Sequence, residues 1–407
     1  MRCRHCRASS TKLIADLGVQ PPSNAYLREA DLFIEETFFP LQLYVCEKCF
    51  LVQIRDYTSK ETFFNADYAY FSSISSTWLA HAQQYVIEMI AKLSLQKDSF
   101  VIEVGSNDGY LLKNFVEKRV PCLGIEPTES TSKAARLLGV NTINNFFDHK
   151  LAKKISKEVG KADLLICNNV YAHVPDVNDF TRGLETILKE DGVITIEFPH
   201  VLEMIQSCQF DTVYHEHFSY FALGTVIEIF KKYGLRVFHA EKHNTHGGSL
   251  RVYGCKVAAK HELSTSVNQI ISEEDTAGLR VLDTYFDFEA QISRIKLDFL
   301  SFLIQAKNEG RRVCGYGAAA KASSLLNYCG VKPDLLPFVA DAAPSKIDRF
   351  LPGSRIPIVA PSAILDFKPE CVVVFPWNIA SEIKSQLTQT MKNDCKFFVA
   401  LPTMTEI

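Results

Sequence analysis

The chain has little net charge, no long apolar run and no apolar segment directly after its first residues. Its formal charge of -3 over 407 residues gives no general attraction to nucleic acid or to anionic membranes. No apolar stretch approaches the ~20 residues needed to span a bilayer. Residues 1–6 lack the apolar core of a signal peptide. We therefore expect a cytoplasmic protein without nucleic-acid or membrane partners. The oligomeric state stays open, and a monomer is one form that the sequence allows.

The length and composition are those of a globular protein with more than one core. A chain of 407 residues is too long for one ordinary core, so two or three domains are expected. Apolar residues make up 47% of the chain and charged residues 22%, which is typical of soluble globular proteins. Eight of the twelve cysteines lie singly, many among apolar residues, where cysteine acts as a small hydrophobic side chain.

The other four cysteines form two close pairs near the amino terminus. Cys3 and Cys6 make one Cys-x-x-Cys pair, and Cys46 and Cys49 make a second one, with 39 residues between the two pairs. Two such turns complete a tetrahedral tetrathiolate zinc site, which has no open position and is therefore structural. Unliganded or redox-active thiols are the alternative. The spacer is too acidic for a nucleic-acid-binding ribbon, since it contains Glu29, Asp31, Glu35 and Glu36.

A strand, a glycine turn and a helix follow in the middle of the chain. The strand 100–104 leads into Gly105-Ser106-Asn107-Asp108-Gly109, and a helix is predicted over 111–118. This order predicts the first unit of a doubly wound fold, in which ligands bind at the carboxyl ends of the strands. The turn lacks the Gly-x-Gly-x-x-Gly spacing of a pyrophosphate site. Glu103 instead places a carboxylate there, which suits the cationic end of S-adenosylmethionine.

The ends of the next two strands complete a predicted cofactor site. Strand 122–125 ends at Glu126, a carboxylate able to accept both hydroxyl hydrogens of a ribose, and strand 162–167 ends at Asn168 and Asn169. This set resembles the class I methyltransferases, and a Rossmann-like domain for another nucleoside is the alternative. The predicted cofactor-binding residues are Glu103, Gly105, Asn107, Asp108, Gly109, Glu126, Asn168 and Asn169.

Histidines, a glutamate and tyrosines cluster further along the chain. Tyr214-His215-Glu216-His217 follows a strand that ends near His200, and His173 lies just after the third strand. A metal site is one interpretation, but in a strand only His215 and His217 would share a face, and a third ligand is missing from the pattern. General acid–base chemistry is the better interpretation, because histidine titrates near neutral pH.

The carboxyl-terminal part predicts a second doubly wound unit. Residues 312–323 form a strand, a turn of small residues and a helix start, where Lys321 and Ser323 suit a phosphate. The next strand ends at Asp341, and Ser345 and Lys346 lie in a loop over the same edge. Taken alone, this unit suggests a nicotinamide dehydrogenase. The glycine turn at 246–248 is either part of the site or a plain hairpin.

The chain resembles the sugar C-methyltransferases that act on deoxythymidine-diphosphate (dTDP) 4-keto-6-deoxysugars. The resemblance covers nearly the whole chain and rests on the two Cys-x-x-Cys pairs, Pro-Pro-Ser-Asn at 21–24, Tyr-Phe-Ser-Ser at 70–73, Glu-Val-Gly-Ser-Asn-Asp-Gly at 103–109, Asn168-Asn169 with His173, and Tyr214 to His217. It implies an α/β protein with a small zinc-binding domain (1–68), a central class I, Rossmann-like methyltransferase domain (69–255) and a carboxyl-terminal Rossmann-like domain for the nucleotide-sugar (256–407).

The resemblance also implies roles for single residues. His217 corresponds to the general base, with Tyr214, Glu216 and His173 around the reacting sugar. Tyr70, or Tyr68 in a shifted register, corresponds to an active-site tyrosine of the family. The family often has an acidic residue where His215 stands, so the role of His215 is open. The carboxyl-terminal residues Lys321, Ser323, Asp341, Ser345 and Lys346 would then contact the nucleotide-sugar.

The implied reaction is methylation of a carbon atom next to a ketone. A base removes the acidic hydrogen beside the carbonyl, and the resulting enolate carbon attacks the methyl group of S-adenosylmethionine. Carbon 3 of the sugar is the expected position, although carbon 5 occurs among relatives. Two alternatives remain: an oxidoreductase or epimerase that uses a dinucleotide, and a zinc-ribbon binding module with a degenerate methyltransferase domain.

Overall fold

The computed structural model describes residues 1–58, 63, 71–74, 76–391 and 394–407. It contains three sheets along the chain, one antiparallel and two mostly parallel, with helices packed around the parallel ones. The predicted α/β class with two Rossmann-like units is therefore confirmed. The boundaries at residues 68 and 255 stay predictions.

The amino-terminal sheet is antiparallel and is completed by a segment from the middle of the chain. Its order is β1-β2-β3-β9. In β2 the side chains of Leu41, Leu43 and Val45 are buried and those between them are partly exposed, as expected for a strand with one buried face. The strands are β1 (Thr11–Gln20), β2 (Phe39–Cys46), β3 (Val52–Ile54) and β9 (Ser219–Tyr220). Because β9 follows His217 directly, the turn that carries the predicted base is anchored to this sheet.

The central sheet has seven strands in the order β10-β11-β8-β7-β4-β5-β6. All neighbours are parallel except that β11 runs antiparallel to both β8 and β10. The strands are β4 (Val101–Val104), β5 (Cys122–Ile125), β6 (Thr142–Ile143), β7 (Ala162–Asn168), β8 (Leu188–Pro199), β10 (Leu235–His243) and β11 (Ser249–Lys256). The strand order reverses between β4 and β7, which is where such folds bind ligands.

Helices cover the central sheet, and acidic residues begin two of them. Asp148 accepts a hydrogen bond from the Leu151 amide, and Asp176 accepts from Asn178 and Asp179, so both satisfy amides that a helix start leaves unpaired. The helices are α1 (Ser76–Leu93), α2 (Leu112–Glu117), α3 (Glu129–Leu137), α4 (His149–Glu158), α5 (Val177–Ile187), α6 (Val201–Gln206) and α7 (Leu223–Lys232).

Three helices lead to the carboxyl-terminal sheet, whose order is β14-β13-β12-β15-β16-β17. Only the pairing of β17 with β16 is antiparallel, and the order again reverses beside the first strand. The elements are α8 (Thr265–Thr276), α9 (Asp283–Phe286), α10 (Phe288–Asn308), β12 (Val313–Tyr316), α11 (Ala320–Cys329), β13 (Val339–Ala340), β14 (Ile358–Val359), α12 (Ser362–Phe367), β15 (Cys371–Val374), α13 (Ala380–Thr390), β16 (Lys396–Val399) and β17 (Thr405–Glu406).

The three parts share buried surface. One apolar cluster contains Leu43 of the first sheet, Phe210 from the segment before the predicted base, and Phe299 of α10. Short 3-10 turns at Tyr171–His173, Phe210–Thr212, Thr245–Gly247 and Trp377–Ile379 connect the larger elements. Among the described residues, no helix combines the length and the apolar character that crossing a membrane requires.

Candidate active site

A cavity of about 1270 Å³ lies where the three parts of the chain meet. Three regions contribute to its wall: the loop at 105–109 after β4, called the donor loop below, the turn at 214–217 that carries the predicted base, and the carboxyl-terminal loops. The predicted site residues that line it are Gly105, Asn107, Glu126, Asn168, Asn169, His173, Tyr214, Glu216, His217, Lys321, Asp341 and Lys346. Residues more than 200 positions apart in the sequence therefore line the same cavity.

The other predicted site residues lie elsewhere. Glu103, Asp108 and Gly109 are buried behind the cavity wall. Ser323 is only 1% exposed because its side chain faces the core from the first turn of α11, and Ser345 is exposed on its loop outside the cavity. Tyr70 and Tyr68 fall outside the described residues.

Glu126 holds the donor loop in the shape that the cavity requires. Its carboxylate oxygens accept hydrogen bonds from the backbone amides of Asn107 and Thr128, both at 2.9 Å. Burial nonetheless raises the pKa of Glu126. Gly105 has a φ of +70°, and a Cβ there would lie 2.3 Å from the Val170 side chain, so this position suits glycine alone.

Glu103 supplies a second buried carboxylate under the same loop. It is 1% exposed, and neither carboxylate oxygen has a hydrogen-bond partner among the described residues. Burial, with the charges of Glu126 and Asp108, raises its pKa well above the ordinary value. Asp108 accepts a hydrogen bond from the Ser73 amide at 3.1 Å. The acidic side chains around this loop disfavour a phosphate, and a cationic ligand close by would offset the repulsion that raises the pKa of Glu103.

The cavity wall also contains aromatic residues and histidines that sequence reasoning did not assign to the site. Trp78 and His81 of α1 stack with ring centroids 5.0 Å apart, and both line the cavity. His81 Nε2 lies 3.0 Å from a carboxylate oxygen of Glu197, which also forms a 2.8 Å ion pair with Arg251. Although burial raises the pKa of Glu197, the bond to His81 and the charge of Arg251 hold it at about 2.

Two further segments contribute residues to the wall. Phe146 and Phe147 follow β6, and His246 lies in the loop before β11; all three line the cavity. His246 Nε2 is 3.1 Å from Asn169 Nδ2. The glycine turn at 246–248 therefore contributes to the site. In the sequence, the histidine of this turn could have indicated that the turn belongs to the site. In the same way, Trp78 and His81, three residues apart at the start of a helix, could have indicated the other part of the wall.

His217 lies in the cavity as a neutral imidazole with a defined tautomer. Its Nδ1–H donates to the Thr212 carbonyl at 2.9 Å, and its Nε2 accepts from the Tyr214 hydroxyl at 2.8 Å. Burial and the nearby His173 lower the pKa of His217 well below the ordinary value. The Nε2 lone pair is therefore available as a base, and Tyr214 shares its proton with it.

The segment that carries His217 is a turn and not a strand, the geometry under which a metal site was considered. The His217 amide donates to the Tyr214 carbonyl at 2.9 Å, as in a β-turn. The assumption that His215 and His217 share a face is therefore wrong. His215 points away from the cavity and packs against Phe39 and Phe63, with its Nε2 3.2 Å from the Pro40 carbonyl oxygen.

Glu216 and His173 flank His217, the predicted base. Asn24 donates from Nδ2 to the two carboxylate oxygens of Glu216 at 2.8 and 2.9 Å, and burial raises the pKa of Glu216 to about 7. His173 donates from Nδ1 to the Glu216 carbonyl at 2.9 Å, and burial lowers the pKa of His173 to about 4. The ring centroids of His173 and His217 are 4.6 Å apart. This side of the cavity is therefore apolar enough to favour neutral side chains.

The carboxyl-terminal wall is basic. Lys321 donates to Asn378 Oδ1 at 3.1 Å, and its ammonium lies 4.1 Å from the centroid of the Trp377 ring. Lys346 forms a 3.2 Å ion pair with Asp341. Burial lowers the pKa of Lys321, which an anionic ligand would reverse.

The four predicted metal ligands come together, and none of them lines the cavity. The sulfurs of Cys3 and Cys49 are 3.5 Å apart, as are those of Cys6 and Cys46, and all four lie within 4.8 Å of one another. A tetrahedral zinc ion with Zn–S bonds of ~2.3 Å places sulfurs at roughly these separations. Across the part of the chain that the structure describes, this is the one group of three or more His, Cys, Asp and Glu residues with such a geometry. The metal interpretation of His215, Glu216 and His217 finds no counterpart there.

Three protein-family models match consecutive parts of the chain. They are described as "Putative zinc binding domain" (3–64), "Methyltransferase domain" (78–240) and "C-methyltransferase C-terminal domain" (244–402). With the cavity-facing donor loop and the four cysteines, they define the predicted class: a methyltransferase that depends on S-adenosylmethionine and carries a zinc-binding amino-terminal part. The last match removes the support for a dinucleotide oxidoreductase.

The C-methyltransferase NovU of Streptomyces niveus is 31% identical to the chain over 400 residues. The match covers 98% of this chain and 95% of NovU. The chain therefore belongs to the family of C-methyltransferases.

Two solved structures, one of a methyltransferase and one of the YcgJ protein, each match less than half of the chain. Magnesium protoporphyrin IX methyltransferase from Synechocystis PCC 6803 is 14% identical, with 44% of this chain and 81% of that chain covered and a TM-score of 0.33. The YcgJ protein of Bacillus subtilis is 13% identical, with 44% and 98% covered and a TM-score of 0.36.

Proposed function

We propose that this C-methyltransferase acts on a dTDP-linked 4-keto-6-deoxysugar and places the methyl group on carbon 3, as a step in branched deoxysugar biosynthesis. The observation that carries this proposal is the neutral His217 imidazole, with Nε2 paired to Tyr214, in the same cavity as the acidic donor loop. A carbon atom needs a base before it can accept a methyl group, and this arrangement supplies one beside the donor.

In this proposal S-adenosylmethionine supplies the methyl group from its sulfonium. Glu126 holds the ribose hydroxyls, and Gly105, Asn107, Asn168 and Asn169 shape the rest of the donor edge. Glu103, Asp108 and Gly109 support that edge from behind. The acidic side chains around the loop suit the positive charge of the donor better than they suit a phosphate, and a cation there would lower the raised pKa of Glu103.

The acceptor side provides the proton chemistry. His217 Nε2 takes the hydrogen from the carbon next to the ketone, directly or through the Tyr214 hydroxyl, while Thr212 holds Nδ1–H and so fixes the tautomer. The Tyr214 hydroxyl stabilises the enolate oxygen once His217 Nε2 holds the proton, whereas His173, whose one N–H donates to the Glu216 carbonyl, lines the acceptor pocket. Glu216 binds a polar substituent of the sugar. Tyr70 keeps its predicted active-site role.

The nucleotide part of the acceptor binds the carboxyl-terminal wall in this proposal. Lys321 at the start of α11 and Lys346 provide positive charge for the diphosphate, and Asp341 accepts from the ribose or the base. Ser323 and Ser345 complete the predicted set, although their side chains lie off the cavity surface. The cavity of about 1270 Å³ is large enough for both the donor and a nucleotide-sugar.

The experiment that tests the function supplies purified enzyme with S-adenosylmethionine labelled in its methyl group. Each member of a panel of nucleotide-linked sugars is added, with matched 4-keto and 4-hydroxy forms. We expect label transfer to the dTDP 4-keto-6-deoxysugar alone and deuterium uptake beside the ketone without the donor. Carbon NMR then identifies the methylated carbon. Methyl transfer to carbon 5 would contradict the proposed methylation at carbon 3. Equal transfer to the 4-hydroxy sugars would contradict a mechanism that needs an enolate.

A further inference from the structure

Trp377 contacts three separate segments behind the cavity wall. Its indole Nε1–H donates to Asp211 Oδ2 at 2.8 Å, and its ring lies under the Lys321 ammonium at 4.1 Å. Its ring edge packs against Gly247, where a Cβ would lie only 2.1 Å from the ring. Trp377 itself does not line the cavity.

Each of these contacts leads directly to a cavity-facing group. Asp211 precedes Thr212, whose carbonyl holds the Nδ1–H of His217. Gly247 follows His246, which lies beside Asn169. The third contact is with Lys321 itself. A single rigid side chain of the carboxyl-terminal part therefore touches the supports of the base, of His246 and of the predicted diphosphate lysine.

The tie between Trp377 and Asp211 lies in a buried environment. Asp211 is 1% exposed, and its second oxygen has no hydrogen-bond partner among the described residues. Burial raises the pKa of Asp211 to about 6, against the opposing effects of Lys321 and the indole N–H. In the same region Gln209 Nε2 donates to the Gly247 carbonyl at 2.8 Å. The turn at 209–212 is therefore hydrogen-bonded both to the loop that carries His246 and to Trp377 of the carboxyl-terminal part.

We propose that Trp377 is a positioning residue for carbon methylation: through Asp211 it sets the His217 base, and through its ring it sets Lys321, so that the two groups act on one bound acceptor. The residue touches neither the donor nor the reacting carbon. The inference rests on the proposed function. Its effect should appear in acceptor chemistry and acceptor binding and leave donor binding unchanged.

The test uses W377F, which keeps an aromatic ring and removes the indole N–H. Donor-independent deuterium exchange into the 4-keto sugar should show a kcat about 10-fold to 100-fold lower, because small misplacement of a base is costly. The KM for the nucleotide-sugar should rise, whereas the Kd for S-adenosylhomocysteine should stay unchanged. In a double-mutant cycle, W377F/D211A should exchange no more slowly than D211A, since both changes remove the same bond.

Y285F is the matched structural control. It also removes one buried hydrogen bond, from the Tyr285 hydroxyl to the Leu279 carbonyl at 2.7 Å, but away from the cavity. It should lower Tm as W377F does and leave kcat and KM unchanged. Wild-type kinetics in W377F, or additive losses in the cycle, would overturn the positioning role.

Nitrogen NMR of His217 separates this inference from the proposed function. The wild-type protein should show the single Nδ1–H tautomer, and W377F should populate both tautomers. The His217 signals are assigned by their loss in H217N. Unchanged signals in W377F would overturn the inference even if no sugar reacts, whereas a tautomer change without any sugar reaction would contradict only the substrate.

Discussion

The central and carboxyl-terminal sheets have the same kind of topology but opposite charge at their ligand edges. In both, the order of parallel strands reverses beside the first strand of the unit, and the carboxyl ends face the cavity. The central edge has Glu126 in the cavity wall with Glu103 and Asp108 buried behind it, whereas the other edge presents Lys321 and the ion pair of Lys346 with Asp341. The difference shows that side chains at strand ends choose the ligand, since the fold is shared.

In the proposed reaction, the charge difference would keep the two ligands apart. The lysine edge would repel a cationic donor and the acidic edge would repel an anionic nucleotide, so each ligand would have one favourable site. His217 lies between them, in a wall where burial keeps imidazoles neutral. The proposed base therefore belongs to neither edge, and the predictions below change His217 first and then each edge.

The largest effect is expected from removing the base. H217N should lower methyl transfer and deuterium exchange by about 10²-fold to 10⁴-fold, because the amide cannot accept the proton. Donor affinity, measured by calorimetry with S-adenosylhomocysteine, should not change. H215N serves as the control, since His215 points away from the cavity. Retained exchange in H217N would show that another group is the base.

A smaller loss is expected from removing charge at the basic edge. K321M should raise the KM for the nucleotide-sugar about 10-fold to 100-fold, as expected for a lost hydrogen bond to a charged group. The Kd for S-adenosylhomocysteine should stay the same. K307M removes an exposed lysine of α10 as the matched control. If K321M weakened donor binding instead, the assignment of the two edges would be reversed.

The reciprocal change at the acidic edge should weaken the donor. E126Q places an amide where the carboxylate accepts two backbone N–H groups, so one donor would face another donor. We expect about a 10-fold higher Kd for S-adenosylhomocysteine and an unchanged KM for the nucleotide-sugar in exchange assays. Equal losses for both ligands would indicate a general collapse of the cavity.

The smallest effect concerns the pH dependence of stability. Because the pKa of Glu103 is raised in the folded protein, folding takes up a proton, and stability falls as pH rises above the ordinary value of 4.5. E103Q should match the wild type below pH 4.5 and melt a few degrees higher at neutral pH. Calorimetric Tm values of both proteins across this range test it. A gap that does not change with pH would contradict the assigned cause.

The elements of the donor edge could be predicted from the sequence because local pattern determines them. Runs of apolar residues predicted the strands β4, β5 and β7. Because the carboxyl ends of parallel strands meet at one edge, the polar residues that follow β5 and end β7 were expected to lie together, namely Glu126, Asn168 and Asn169. The two cysteine pairs likewise predicted their own cluster, because the spacing within each pair is that of a metal-binding turn, and the pairing of β1 with β2 then brings the two turns together.

The acceptor side could be predicted only in part, because long-range packing determines it. Asn24 holds Glu216 from the amino-terminal part, and Trp377 holds Asp211 from the other end of the chain. The turn at 214–217 also reversed the expected faces, so that Glu216 and His217 line the cavity and His215 does not. Neither pairing has a local signal in the sequence.

The pairing of β9 with β3 has a consequence for how the protein must be assembled. Val52 bonds to a partner at Tyr220, so the first sheet to leave the ribosome lacks its last strand until much of the central domain has been synthesised. Until then β3 presents an open edge, which is prone to pairing with other chains. Early capture of a metal ion by the four cysteines would keep that unfinished sheet compact during translation.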